Sequence, residues 1–211
     1  MKLPENIKYI VILALICFAT ASLLSLVYLV TKPDILAQKE KAEQKALEEV
    51  IPGAGYFQPV KLDGNLLYFR AYASTDKKRL LGYAFKAQAQ GYSSVIESMA
   101  GMDVKGKITG IRVLAHNETP GLGAKIDEVL VTETLWQAIK KRFSSEKKQT
   151  KKNAEPWFCA QFKGKKTEDL IVVTGKSDKN IQAITGATIS SEALTDSVRQ
   201  KAREVLEHVS R

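Results

Sequence analysis

From Tyr9 to Val30 the sequence carries no charged residue, and this run, YIVILALICFATASLLSLVYLV, is 22 residues long. Wound as a helix it rises about 33 Å at 1.5 Å per residue, enough to cross the hydrocarbon core of a bilayer. Whatever the remaining residues build must therefore work beside a membrane. A cleaved signal peptide has a shorter apolar stretch, about 7–15 residues. Ala19-Thr20-Ala21 resembles a cleavage triplet, but nine further, mostly apolar residues follow it. The same argument makes ALIC a poor lipidation box for Cys17. The run reads as a retained anchor, with residues 1–8 as an N-terminal tail and 9–30 as a transmembrane helix. Lys2 and Lys8 precede the span, while Lys32, Lys39, Lys41 and Lys45 follow it. The positive-inside count leans slightly against a cytoplasmic N-terminus and leaves the side open, because long domains cross regardless of charge.

The remaining chain is long enough for one domain with a real core. The net charge of +9 is unevenly spread, and residues 144–152, SSEKKQTKK, hold +3 of it. No aromatic residue interleaves with that run, so nucleic-acid binding has no support and a solvated Lys-rich loop over 144–156 is expected. Cys17 lies in the span and Cys159 stands alone in the domain, and the imidazoles are His116 and His208. That inventory predicts neither a disulfide framework nor a metal site.

After the span, residues 31–55 read as a lead-in helix and linker. Ile35, Ala42, Ala46 and Val50 recur at helical spacing and Pro52-Gly53 ends the pattern. Strand-like runs follow at 66–73, 80–91 and 106–116, then an amphipathic helix at 132–143. WFCAQF (157–162) and DLIVVTG (169–175) read as two more strands. Leu194, Val198, Ala202, Val205 and Val209 mark a C-terminal helix, with Ser190 or Ser191 as its N-cap. Strands and helices in mixed order give a single α+β domain over 56–211 behind a single N-terminal transmembrane helix. Trp136 and Trp157 are read as core residues, and His116 as a structural histidine at a strand end.

Two segments carry the functional signal. In HNETPGLGAKI (116–126), Pro120 fixes one φ while Gly121 and Gly123 permit positive φ, so the backbone bends sharply and exposes bare N–H groups. Such a loop lies flat against a planar ring or an anion, although a tight surface turn explains the same letters. In QAITGATISS (182–191), Gly186-Ala187 leaves little bulk beside Thr188, and the following helix aims its positive end back at that hydroxyl. A phosphate on Thr188 would gain about 0.3–1 kcal/mol from that dipole. Taken alone, each segment is explained more simply as a turn or a cap.

Together they resemble the FMN-binding domain of RnfG, the G subunit of the Rnf electron-transport complex. That family pairs ETPGLG with a later [ST]-G-A-[ST] motif, and here ETPGLG stands at 118–123 and TGAT at 185–188. The five letters TPGLG arise by chance in about one of several thousand chains of this size. The resemblance also covers the span, the lead-in ending IPGAG, the Gly91-Tyr92 pair and the C-terminal helix. It implies FMN attached covalently through a phosphoester to Thr188, with Thr185, Gly186 and Ala187 completing the motif read by a flavin transferase. Glu118, Thr119, Pro120, Gly121, Leu122 and Gly123 are then expected to line the flavin. Related motifs have an acidic residue three positions before the first hydroxyl residue, where this chain has Gln182.

The implied protein is a membrane-anchored flavoprotein subunit of an ion-translocating ferredoxin:NAD oxidoreductase. It relays electrons without a catalytic side chain or stand-alone activity, and meets ferredoxin and NAD only through the other membrane subunits. The implied place is the bacterial inner membrane, with the FMN domain on the periplasmic face. NqrC, the C subunit of the sodium-translocating NADH:quinone reductase, shares both motifs but tends to be longer. A membrane-anchored binding or assembly domain without redox activity is the competitor from another class. A free-standing flavin reductase is disfavoured because no G-x-G-x-x-G follows a strand.

Overall fold

A computed structural model describes residues 5–62, 64–129 and 155–210. The chain divides into two compact units, Met1–Ala42 and Glu43–Arg211. The first unit is helical throughout its described residues, as part of helix α1 (Glu5–Val50). Its apolar side chains point outward, with Phe18 75 % exposed and Leu13, Leu24 and Leu29 similarly bare. In water this surface would be costly, whereas in lipid it is the solvent-matched one. Two of its threonines bond back to the helix. The Thr20 hydroxyl donates to the Ile16 carbonyl at 3.0 Å and that of Thr31 to the Val27 carbonyl at 2.9 Å. Pro33 lies inside α1, so the span and the lead-in helix form one continuous element rather than two. A proline in a helix interior costs about 3 kcal/mol, yet neither flank holds a second breaker to end the helix there.

The second unit is built on a five-stranded antiparallel sheet in sequence order: β1 (Tyr56–Leu62), β2 (Asn65–Tyr72), β3 (Leu80–Gln90), β4 (Val95–Asp103) and β5 (Ile108–Ala115). One face is covered by the long C-terminal helix, Thr188–Val209, called α3 here because a single-turn helix, α2 (Trp157–Ala160), precedes it. Leu194, Val198, Ala202 and Val205 recur on one side of α3 and pack with Tyr68, Phe85, Ile96 and Met102. On the second face Ala46, Leu47, Val50 and Ile51 pack with Ala71, Ala84 and Met99. Gly101 and Gly110 pair across β4 and β5 and make room for that helix end, since a Cβ at Gly101 would stand 2.5 Å from the Val50 carbonyl oxygen. The Thr109 hydroxyl donates to the same oxygen. Glu43–Lys86 (2.6 Å) and Glu49–Arg112 (3.6 Å) flank the contact.

Helices on both faces make β3 and β4 apolar on both sides, which blurs the period-two signal. That is why the sequence reading passes over β4, which also contains Glu97, Ser98 and Gly101. It passes over β1 as well, a half-exposed strand with Pro59 in its middle; as an edge strand β1 tolerates the missing donor.

Several expected elements are corrected. WFCAQF is not a strand: Trp157–Ala160 is helical, and buried Phe158, Cys159 and Phe162 follow helical spacing rather than alternation. In DLIVVTG only Val172–Val173 is a strand, β6, pairing in parallel with β7 (Ile181–Gln182) after a 3-10 turn at Thr167–Asp169. Neither Ser190 nor Ser191 caps the C-terminal helix, which starts at Thr188 with Ala187 as N-cap. Trp157 is 37 % exposed, so it is not a core residue. The expected helix at 132–143, Trp136 and the Lys-rich run 144–152 lie outside the described residues. The α+β class stands, with the apolar N-terminal helix ahead of a sheet-and-helix domain.

Candidate functional site

ETPGLG folds as a tight turn. The Leu122 N–H donates to the Thr119 carbonyl at 3.2 Å, with Pro120 and Gly121 between them and Gly121 at φ +75°. Proline second and a positive-φ glycine third is the pattern of a type II turn. The chain then enters a 3-10 turn at Gly123–Ile126. Gly123 does not use positive φ, contrary to expectation; it is needed for space. A Cβ there would lie 2.5 Å from Glu118 Oε2 and 2.8 Å from Ser190 Oγ.

TGAT folds by the same logic. Ala187 N–H donates to the Ile184 carbonyl at 2.9 Å across a turn in which Gly186 has φ +80°. The Ser191 hydroxyl accepts from Ile184 N–H at 3.0 Å and donates to the Ala187 carbonyl at 2.9 Å, tying the turn to the helix it precedes. Thr188 is thereby placed, exposed, as the first residue of α3. No side chain caps this 22-residue helix, so the N–H groups of its first turn face outward without an intrahelical acceptor.

The two motifs meet. Leu122 packs over Gly186 so closely that a Cβ there would sit 3.2 Å from Leu122 Cδ2. Between them lies a cavity of about 440 Å³. Glu118, Thr119, Leu122 and Gly123 form one wall, and Gly186, Ala187, Thr188, Ile189 and Ser190 form the other. Tyr92, from the β3–β4 turn, completes the rim and is 72 % exposed. Pro120 and Gly121 shape the turn but are not in the cavity wall. Thr185 faces a neighbouring pocket of about 260 Å³, shared with Lys125, Glu128, Trp157 and Gln182. Gln182 is held by its backbone: its N–H donates to Gln161 Oε1 at 2.7 Å, and Gln161 Nε2 donates back to its carbonyl at 3.3 Å.

Among the described residues Glu118 is the single charged one lining the cavity, and it is 5 % exposed. Its Oε1 accepts from the N–H groups of Ser93 (3.0 Å) and Ser94 (2.9 Å) and from the Ser94 hydroxyl (3.3 Å). Its Oε2 accepts from the Ser190 hydroxyl at 2.6 Å. Burial pushes this carboxyl upward, but the Ser190 hydroxyl and the backbone N–H groups of Ser94, Ser93 and Tyr92 outweigh it and hold it below the ordinary value. His116 has the structural role expected, its Nδ1 accepting the Glu118 N–H at 3.2 Å. Sequence reasoning missed Ile189, Ser190, Ser93 and Ser94, and treated Tyr92 only as part of a dipeptide. From Thr188 the helix runs exposed, exposed, buried, buried, and no pattern of letters marked Ile189 or Ser190 as facing the cavity.

The donor set fits an aromatic cofactor with a phosphate tail. Leu122, Ile189 and Tyr92 offer apolar surface, the volume lies in the range of small-molecule sites, and an uncapped helix start stands at the threonine end. The same class emerges from comparison with known proteins. The FMN-binding domain family model matches residues 91–203, and a model of the RnfG N-terminal region matches residues 1–50. The G subunit of the proton-translocating ferredoxin:NAD(+) oxidoreductase complex of Clostridium ljungdahlii is 30 % identical, covering 92 % of this chain and 88 % of its own. The G subunit of the ion-translocating oxidoreductase complex of Methanosarcina acetivorans is 30 % identical over 92 % of this chain and 91 % of its own. A crystal structure of Shewanella oneidensis NqrC has a TM-score of 0.45 at 17 % identity, covering 74 % of this chain and 72 % of that one. The class is an FMN-binding domain behind an apolar N-terminal helix. Within it, this chain belongs to the RnfG family, the G subunits of Rnf complexes.

Proposed function

We propose that this chain is the membrane-anchored flavoprotein subunit of an Rnf-type ion-translocating ferredoxin:NAD oxidoreductase, carrying FMN in phosphoester linkage on Thr188. The observation that carries this reading is the placement of an exposed threonine hydroxyl on the first turn of an uncapped helix, in the wall of a cavity formed by both motifs. When bound, FMN supplies reversible one- and two-electron chemistry through a ring that linkage at the phosphate leaves unmodified. The chain's part is to hold and orient. Gly186, at φ +80°, shapes the turn before Thr188 without a side chain against Leu122, and Leu122 and Ile189 would present apolar surface to a ring. The N-terminal N–H groups of α3, left without a side-chain cap, would receive a phosphate carried by Thr188. Among the described residues, no Lys or Arg lines the cavity. A covalent bond holds the cofactor without relying on ion pairing. Esterification also converts a phosphomonoester dianion into a monoanion, easier to seat beside Glu118.

A flavin transferase is the expected maturation partner, and the other membrane subunits of the complex are the electron-transfer partners. The exposed apolar surface of the first unit supports single-pass membrane anchoring, and the bacterial inner membrane with the FMN domain on the periplasmic face is the reading implied by the family resemblance alone. The test is intact mass and in-gel fluorescence after co-expression with a flavin transferase. Wild type and Thr188→Ser should gain the mass of FMN less water, and Thr188→Ala should gain none. An unmodified wild type, despite a transferase active on a control substrate, would overturn the attachment and point to Gln182 as the cause.

A further inference from the structure

Three segments far apart in sequence converge on one carboxylate. The β3–β4 turn brings the N–H groups of Ser93 and Ser94, the loop after β5 brings Glu118 itself, and the first turn of α3 brings the Ser190 hydroxyl. Two glycines stand aside for it, since a Cβ at Gly91 would lie 2.6 Å from Oε1 and one at Gly123 2.5 Å from Oε2. Ser93 Oγ and Thr119 Oγ1, 3.2 Å apart, reinforce the same junction. A contact with the ring alone would not call for this. The carboxylate is buried, its oxygens are occupied by protein donors, and a buried charge persists only when so satisfied.

We propose that Glu118 is a positioning residue with an electrostatic consequence: a resident anion in the cavity wall that holds the cavity assembled before the flavin arrives and makes the bound flavin harder to reduce. This rests on FMN occupying the cavity beside Thr188. Each electron that the ring accepts from a neighbouring redox centre adds one negative charge to the cavity, unless a proton from solvent accompanies it. A fixed carboxylate, itself 5 % exposed, in the cavity wall opposes that added charge. It also commits the Ser190 hydroxyl, so the helix start offers an incoming anion its backbone N–H groups and the Thr188 hydroxyl.

Glu118→Gln separates the two halves of the proposal, because the amide oxygen still accepts from Ser93 and Ser94 while the charge is gone. The measurements are made on full-length protein in detergent, co-expressed with a flavin transferase. They are intact mass, the flavin midpoint potential by spectroelectrochemistry, and amide hydrogen exchange across residues 91–94. Glu118→Gln should keep the adduct and most of the exchange protection, well above that of Glu118→Ala, while its potential moves positive. Glu118→Ala should exchange at least about tenfold faster at Ser93 and Ser94, as expected when bonds to a charged acceptor are lost. An unchanged or more negative potential in a flavinylated Glu118→Gln overturns the electrostatic half. Unchanged exchange in Glu118→Ala overturns the positioning half. If wild type carries no adduct, the attachment reading fails by itself, exchange still decides the positioning role, and the potential is read on FMN added to the same protein.

Discussion

Glu118 shows how much a single residue's surroundings alter what its letter implies. In the motif it is one of six; in the fold it is the buried point at which three segments join. Its carboxyl is held below the ordinary value of 4.5, so the unfolded chain takes up this proton at a higher pH than the folded one. The stabilisation is therefore complete above about pH 4.5 and is lost as the pH falls through the folded value. The gap in melting temperature between wild type and Glu118→Gln should be widest near neutrality and shrink below pH 4.5; a gap independent of pH would argue against an ionised carboxylate. At Gly123 the constraint is space. Gly123→Ala should lower stability by about 1–3 kcal/mol, because the new methyl meets the Glu118 carboxylate and the Ser190 hydroxyl. Cys159 is fully buried, its Sγ 3.4 Å from the Ile126 carbonyl oxygen, and burial pushes its thiol up to about 12. Iodoacetamide at pH 8 should leave it unmodified in the folded protein and label it after denaturation.

Among the elements, α3 has two duties at its two ends. Its middle and C-terminal turns cover one face of the sheet through Leu194, Val198, Ala202 and Val205. Its first turn, with Gly186 and Ala187 before it, forms one wall of the cavity. Leu194 is fully buried, so Leu194→Ala should cost about 2–5 kcal/mol in chemical denaturation. Ser191→Ala removes the acceptor of a buried N–H at Ile184 and should cost about 1–3 kcal/mol. It should also slow flavin attachment more than its stability loss explains, since the turn that presents Thr188 loses its tie to the helix. Attachment that follows stability alone in both variants would remove that role. The serines of this helix were legible as cap candidates, but a side chain's local option to cap loses here to tertiary bonds: Ser190 turns to Glu118 and Ser191 to the preceding turn.

Across the full chain, Ala46, Leu47, Val50 and Ile51 belong to the core of the second unit although they lie in the last turns of α1 and just past its end. A fragment beginning at Glu43 should fold and stay soluble. One beginning at Tyr56 would bare Ala71, Ala84 and Met99, and should aggregate or melt far lower in the same buffer. The full chain should resist alkaline carbonate extraction from membranes, and the Glu43 fragment should not. The anchor follows from the order of residues alone, because spanning a bilayer depends on length and apolarity summed along one helix. So do the two glycine-bearing turns and the apolar stripe of the C-terminal helix, which are local or periodic properties. It takes the packed fold to establish that Leu122 closes over Gly186, that Glu118 faces inward to three segments, and that WFCAQF winds into a helical turn. The physical reason is that these depend on which distant groups share a desolvated space, and a charge, a hydroxyl or a missing Cβ acquires its meaning from neighbours that the order of residues does not specify.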